Sequence, residues 1–204
     1  MPAKPVVTLA ILAAVLTAVL ALVASLTRER IAANEQAWIE QRLDALVAPD
    51  SHDNDLLADS ITVTAPDLLG SAQPVMIYRA RRGGAPVAAV IRPIAPDGYR
   101  GPIELLVAVA YDGRLIGVQV IRHEETPGLG DAFESRDVHW LDRFRGRSLT
   151  DPPPQRWTVR RDGGDFDAFT GATITPRAIV KAVRNALEYY QRNRQRIFEQ
   201  PAGE

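Results

Sequence analysis

Hydrophobic residues along this chain follow three successive patterns, and each predicts a different kind of element. From Val6 to Leu26 the sequence VVTLAILAAVLTAVLALVASL runs for 21 residues without a charge. As a helix it spans about 31 Å, close to the hydrocarbon thickness of a bilayer. A cleaved signal peptide has an apolar core of only about 7–15 residues, and Val23-Ala24-Ser25 makes a weak cleavage site. The pattern therefore predicts one uncleaved transmembrane helix. Beyond it, apolar residues at 31, 38, 39, 43, 46 and 47 predict an amphipathic helix over Ile31–Val47. Residues 48–60, APDSHDNDLLADS, read as a polar connection.

A strand-rich region of short apolar runs follows. Val75–Ala80 and Val87–Ile94 flank Arg81-Arg82-Gly83-Gly84, a hairpin turn, and Ala95-Pro96-Asp97-Gly98 is a further turn. Ile103–Tyr111 and Leu115–Ile121 flank Asp112-Gly113-Arg114, a tight connection between runs rich in β-branched residues. Four such strands predict an antiparallel sheet with one buried face. The next section is irregular, with a short helix at Trp140–Phe144, a break at Asp151–Pro154 and a last strand at Trp157–Arg160. Helical spacing returns at Ile179, Val183, Ala186, Leu187 and Tyr190, with Thr175 as N-cap and Pro176 in the first helical position. Gln191–Glu204 is polar and predicts a fraying tail. The expected class is α+β: a short segment 1–5, a transmembrane helix 6–26, a juxtamembrane helix and linker 27–60, a strand-rich domain 61–190 that ends in a helix, and a tail 191–204.

Composition narrows the chemistry. Of the 204 residues, 46% are hydrophobic and 24% charged, as in a globular chain. The formal net charge of −1 offers no polycationic surface, which argues against nucleic acid as a partner. There are no cysteines, which excludes disulfides, c-type haem attachment, cysteine-ligated iron–sulfur clusters and thiol catalysis. A redox cofactor must then be held through oxygen, nitrogen or shape. His123, Glu124, Glu125, Asp131 and His139 can be drawn as a metal site, but nothing in their spacing fixes a geometry. None of His52, His123 and His139 lies in a nucleophile context. Neither a metal site nor a hydrolytic triad is expected. Trp38, Trp140 and Trp157 are expected to pack in the core or near the membrane, with Trp140 a candidate neighbour of a cofactor.

Two segments carry candidate chemistry. Asp167-Ala-Phe-Thr-Gly-Ala-Thr-Ile-Thr-Pro176 is a small-residue loop entering a helix N-terminus, where free N–H groups and the dipole favour a phosphate. Gly171 and Ala172 let an anion approach the backbone, and the threonines offer hydroxyls. On these residues alone it is either an ordinary capped loop or a non-covalent phosphate loop. In His123-Glu-Glu-Thr-Pro-Gly-Leu-Gly-Asp131, Pro127-Gly128 suits a type II turn with Gly128 at positive φ. By itself that is a surface turn.

Taken together, the two segments resemble the covalent FMN-binding domains. Thr170-Gly-Ala-Thr173 preceded by Asp167 is similar to that family's acceptor motif, and Glu125-Thr-Pro-Gly-Leu-Gly130 to its flavin-facing loop. The resemblance implies that an FMN transferase, drawing on FAD, esterifies FMN to Thr173. Asp167, Thr170, Gly171 and Ala172 would be recognised by the transferase. Glu125, Thr126 and Leu129, with Thr170, Gly171 and Ala172, would contact the cofactor. The plan of the whole chain is most similar to the G subunits of the Rnf (Rsx) ion-translocating electron-transport complexes. The C subunits of the sodium-translocating NADH:quinone reductases, typically longer, come second. An electron relay is implied, linked to ferredoxin and NAD chemistry and partnered by the other membrane subunits. The chain itself has no dinucleotide glycine fingerprint. Lys4 before the span and Arg28 and Arg30 after it lean by one charge towards a cytoplasmic domain. The family implies the periplasmic side of a bacterial inner membrane, and this is the preferred expectation. A flavin-free anchored adaptor and a stand-alone flavin reductase are the rival classes.

Overall fold

In the computed structural model, which describes residues 3–135 and 139–203, one row of branched residues crosses five antiparallel strands. Ile61, Ile77, Ile91, Val107 and Val118 stand opposite one another in register. They lie on strands β1 (Ser60–Val63), β2 (Val75–Arg82), β3 (Ala85–Ile91), β5 (Ile103–Ala110) and β6 (Leu115–Arg122). A two-residue strand, β4 (Ile94–Ala95), pairs with the start of β5. The neighbouring row, Ser60, Tyr78, Val90, Ala108 and Gly117, faces the opposite way, as the period of a strand requires.

Both faces are covered. The first row packs with the buried side of a long helix (Ile174–Glu199, called α3 here), including Ile179, Val183, Ala186 and Tyr190, to form the main core. Leu43, Leu46, Val47 and Leu56 are buried outside that core, as are Tyr78, Ala88, Val90 and Ala108 on the opposite face of the sheet. Small residues leave room there: a Cβ on Gly117 would lie 3.0 Å from Leu46. The expectation of a single buried face is therefore corrected. The chain before β1 is apolar at positions 43, 46, 47 and 56 because it forms a third layer.

The sheet holds six strands where four were expected. β1 is short and polar-flanked, and β4 follows Pro93 within the run expected to be a single strand. Helix α1 (Ala3–Leu46) is continuous, so the segments expected to be transmembrane and amphipathic are one element; a single turn, α2 (Pro66–Leu69), lies between β1 and β2. The apolar part of α1 is long and apolar enough to cross a membrane and is unburied. The hydroxyls of Thr17, Ser25 and Thr27 each bond a carbonyl three or four residues back, which satisfies them inside the helix. By compactness the chain divides into Met1–Gln41 and Arg42–Glu204. Residues 1 and 2 of the expected 1–5 segment lie outside the described residues, as does Glu204.

Two further expectations change. Trp157–Arg160 is no strand: short 3₁₀ turns at Pro154–Arg156 and Arg160–Asp162 flank it, with one parallel bridge from Val159 to Phe166. The polar tail does not fray at Gln191. Helix α3 continues to Glu199, because Ile197 and Phe198 are buried and arginines from β2 donate to its final carbonyls. The architecture is α+β.

Candidate functional site

The threonine loop is placed by aromatics that alternate with its polar residues. Phe166 is buried with its ring centroid 4.7 Å from that of Phe144 and 5.1 Å from that of Trp157. Phe169 lies edge-on to Trp140 at 5.0 Å. Between them Asp167 turns outward, its carboxylate 3.2 Å from both Arg143 and Arg160. The Trp140 indole N–H donates to the Asp167 carbonyl at 2.8 Å. Trp140 thus supports the motif from beneath and forms no part of the cavity wall. A close approach also fixes this loop: a Cβ on Gly164 would collide with the Thr158 carbonyl. Past Phe169 the chain reverses through Gly171 at φ 80°, with the Ala172 N–H donating to the Phe169 carbonyl at 3.1 Å. Thr173 then stands at the mouth of α3.

Thr173, not Thr175, is the N-cap residue, and Pro176 is third in the helix. The expected assignment is shifted because the Thr175 side chain turns inward, fully buried, and donates to the Glu125 carboxylate. The Thr173 hydroxyl caps nothing and is half-exposed. The Arg161 guanidinium lies 3.5 Å from it. One turn on, Arg177 grips Asp162 with two bonds, at 2.7 and 3.0 Å. Those bonds hold the Asp162 carboxyl below its usual range and raise Arg177. A half-exposed hydroxyl therefore faces solvent at a helix N-terminus beside a guanidinium, a setting suited to a phosphate.

The second segment forms the expected turn. Leu129 N–H donates to the Thr126 carbonyl at 3.1 Å, and Gly128 takes φ 77°. The Asp131 carboxylate receives the Gly128 N–H at 2.7 Å. The Glu125 N–H donates to His123 Nδ1 at 3.2 Å, so His123 Nε2 carries the proton facing Glu134, 3.0 Å away. His123, Glu125 and Asp131 are thus engaged separately, and among the described residues no three acidic or imidazole groups gather as a metal site.

Turn and loop meet at one cavity of about 350 Å³. Glu125, Thr126 and Leu129 come from the turn, and Gly171, Ala172 and Thr173 from the loop. Thr170 and Asp167 are not among its walls. Thr170 is exposed, and Asp167 is held between its arginines. Sequence reasoning missed Tyr99, Gly130, Ile174 and Thr175, which also line it, and Arg161 beside it. Tyr99, Leu129 and Ile174 are 67%, 49% and 45% exposed, an apolar rim around a polar floor. An exposed aromatic between Gly98 and Arg100 was the one signal available for Tyr99.

The FMN-binding domain family matches residues 98–188, the stretch that contains every wall of this cavity, and the RnfG N-terminal region matches residues 3–46. The chain is 46% identical over 193 residues to the G subunit of the ion-translocating oxidoreductase complex of Vibrio cholerae serotype O1, covering 95% of this chain and 92% of the relative. The chain belongs to the Rnf-complex G-subunit family. The corresponding protein of Yersinia pestis is 48% identical over 187 residues (91% and 88% covered), and that of Shewanella baltica 43% over 193 residues (95% and 91%). In this Rnf-type chain the N-terminal match falls on helix α1, and the FMN-binding match runs from Gly98, before β5, into helix α3.

Proposed function

We propose that this chain relays electrons within a membrane-bound ion-translocating oxidoreductase complex, carrying FMN as a phosphoester on Thr173. The observation that supports it most is a hydroxyl that caps nothing and lies beside a guanidinium, placed where an apolar-rimmed cavity meets a helix N-terminus. The residues suit the group. The cavity lies within the range of small-ligand sites. Tyr99, Leu129 and Ile174 would cover an aromatic ring system, while Arg161 and the first turn of α3 would face a phosphate. Gly171 turns the loop at positive φ, and a Cβ there would stand beside Leu129, at 3.6 Å.

Esterification is a phosphoryl transfer. The Thr173 oxygen bonds to the FMN phosphorus of FAD, the pyrophosphate bond breaks, and AMP leaves as the hydroxyl proton is lost. A dedicated FMN transferase would perform it, recognising Asp167 and the Thr170-Gly-Ala-Thr173 turn. Bound flavin supplies one-electron chemistry, and the protein sets its position and surroundings. Helix α1 would anchor the chain in the bacterial inner membrane, beside the other membrane subunits, with the FMN-binding domain on the periplasmic side.

Intact and peptide mass spectrometry of the protein from its own membrane tests this reading. One flavin phosphate is expected, on the peptide carrying Thr173. Unmodified protein from cells that contain the transferase would end the proposal. Topology has its own test, because a chain without cysteine accepts a single reporter thiol. With Ala72→Cys, a membrane-impermeant maleimide should label intact spheroplasts. Labelling only after lysis would put the domain in the cytoplasm.

A further inference from the structure

One carboxylate touches every segment that builds the cavity. Glu125 is 4% exposed. Its Oε2 accepts from the Thr175 hydroxyl on α3, 50 residues away in sequence. Its Oε1 accepts from the backbone N–H of Arg100, 25 residues away, at 3.2 Å. Arg100 follows Tyr99, the most exposed residue of the rim. The turn that carries Glu125 itself supplies Thr126 and Leu129.

The backbone gives way to this side chain on both sides. A Cβ on Gly130 would lie 2.6 Å from Oε2, and one on Gly98 would lie 3.0 Å from Oε1. Larger residues at either glycine would displace the carboxylate. Both glycines belong to the segments that the carboxylate joins. A buried carboxylate with two donors is strongly favoured over one with a donor missing, since the lost partner leaves a desolvated acceptor.

From this convergence we infer that Glu125 is a positioning residue. Its carboxylate makes residues 98–101, 125–130 and 173–177 one cooperative unit, and Thr173 is presented for esterification only while Thr175 holds that carboxylate. The second clause rests on the reading of Thr173 as acceptor; the first does not.

The two parts are tested separately on the full-length chain in detergent. In a Thr173→Ala background, which needs no flavin, amide hydrogen exchange is followed in Thr175→Val, Glu125→Gln and the double variant. Either single change should accelerate exchange by about tenfold or more in all three segments together, and β2 and β3 should be unaffected. The double variant should add nothing further, and Thr175→Ser should restore protection. Acceleration confined to 173–177 in Thr175→Val, or effects that add in the double variant, would overturn the cooperative unit. With Thr173 intact and the transferase co-expressed, Thr175→Val and Glu125→Gln should lower the flavin-modified fraction about tenfold, and Thr175→Ser should recover it. Normal modification of Thr175→Val would overturn the link to presentation. An unmodified wild-type chain would instead overturn the acceptor reading and leave the exchange result standing.

Discussion

A Thr173→Ala chain is expected to fold as the wild type does and to carry no covalent flavin. The two halves of that outcome come from one geometry. The Thr173 side chain makes no capping bond to the helix and is half-exposed, so its loss should change stability by less than about 0.5 kcal/mol. Yet it carries the hydroxyl placed beside Arg161 at the cavity mouth. Thr173→Val, which keeps the shape and removes the oxygen, should behave identically, whereas Thr173→Ser retains a nucleophile and should be modified. Flavin content falls from about one per chain to none, and electron transfer by the complex should fall with it to the level of membranes lacking the subunit. Denatured protein resolved by fluorescence under ultraviolet light checks the first quantity directly. Flavin found on Thr170 in the alanine variant would show that the transferase selects a loop and not the α3 mouth. Thr175 is a poor substitute acceptor, because it is buried and committed to Glu125.

The strands at 75–82, 85–91, 103–110 and 115–122 were legible because short apolar runs rich in β-branched residues are bounded by turns that carry glycine. β1 was not, since four residues show too few alternations to distinguish a strand from a linker. Nor was the third layer, whose evidence is small side chains such as Ala88 and Gly117, unremarkable until something packs on them. At the site, two local motifs were readable as chemistry. What joins them was not: a Thr175 hydroxyl and a Glu125 carboxylate meet across 50 residues with no periodic trace. The N-cap was misplaced for the same reason. Thr175-Pro176 looks like a helix start, and only tertiary contact reveals that the threonine points inward.

The end of α3 shows the same non-local control, and with it the largest stability effect expected in the domain. Gln191 to Arg196 is polar and reads as a tail, but β2 sends two arginines to the helix terminus. Arg79, only 2% exposed, donates to the carbonyls of Ile197 and Gln200 at 3.0 and 2.5 Å and is paired with Asp59. Arg81 donates to the Phe198 carbonyl at 2.7 Å, pairs with Asp59 at 2.8 Å, and lies 5.4 Å from the centre of the Phe198 ring. Cations at a helix C-terminus complement its dipole and satisfy carbonyls that the helix leaves open. Arg79→Ala would strip two carbonyls of their donor and leave Asp59 with Arg81 and Asn54 alone. Removing one member of a buried pair costs about 3–5 kcal/mol, and the lower end applies because Asp59 keeps other partners. That is a large share of the roughly 5–15 kcal/mol that holds a domain together. Arg81→Ala, at a partly exposed position, should cost nearer to about 1 kcal/mol. Denaturant unfolding of the two variants measures both, and hydrogen exchange should show Arg194–Glu199 opening in Arg79→Ala. The fraction of Arg79→Ala that remains folded should still be flavin-modified, since Thr173 lies at the far end of a 26-residue helix, about 39 Å away. A variant as stable as wild type to within about 1 kcal/mol would mean that Ile197 and Phe198 hold the helix end by burial alone.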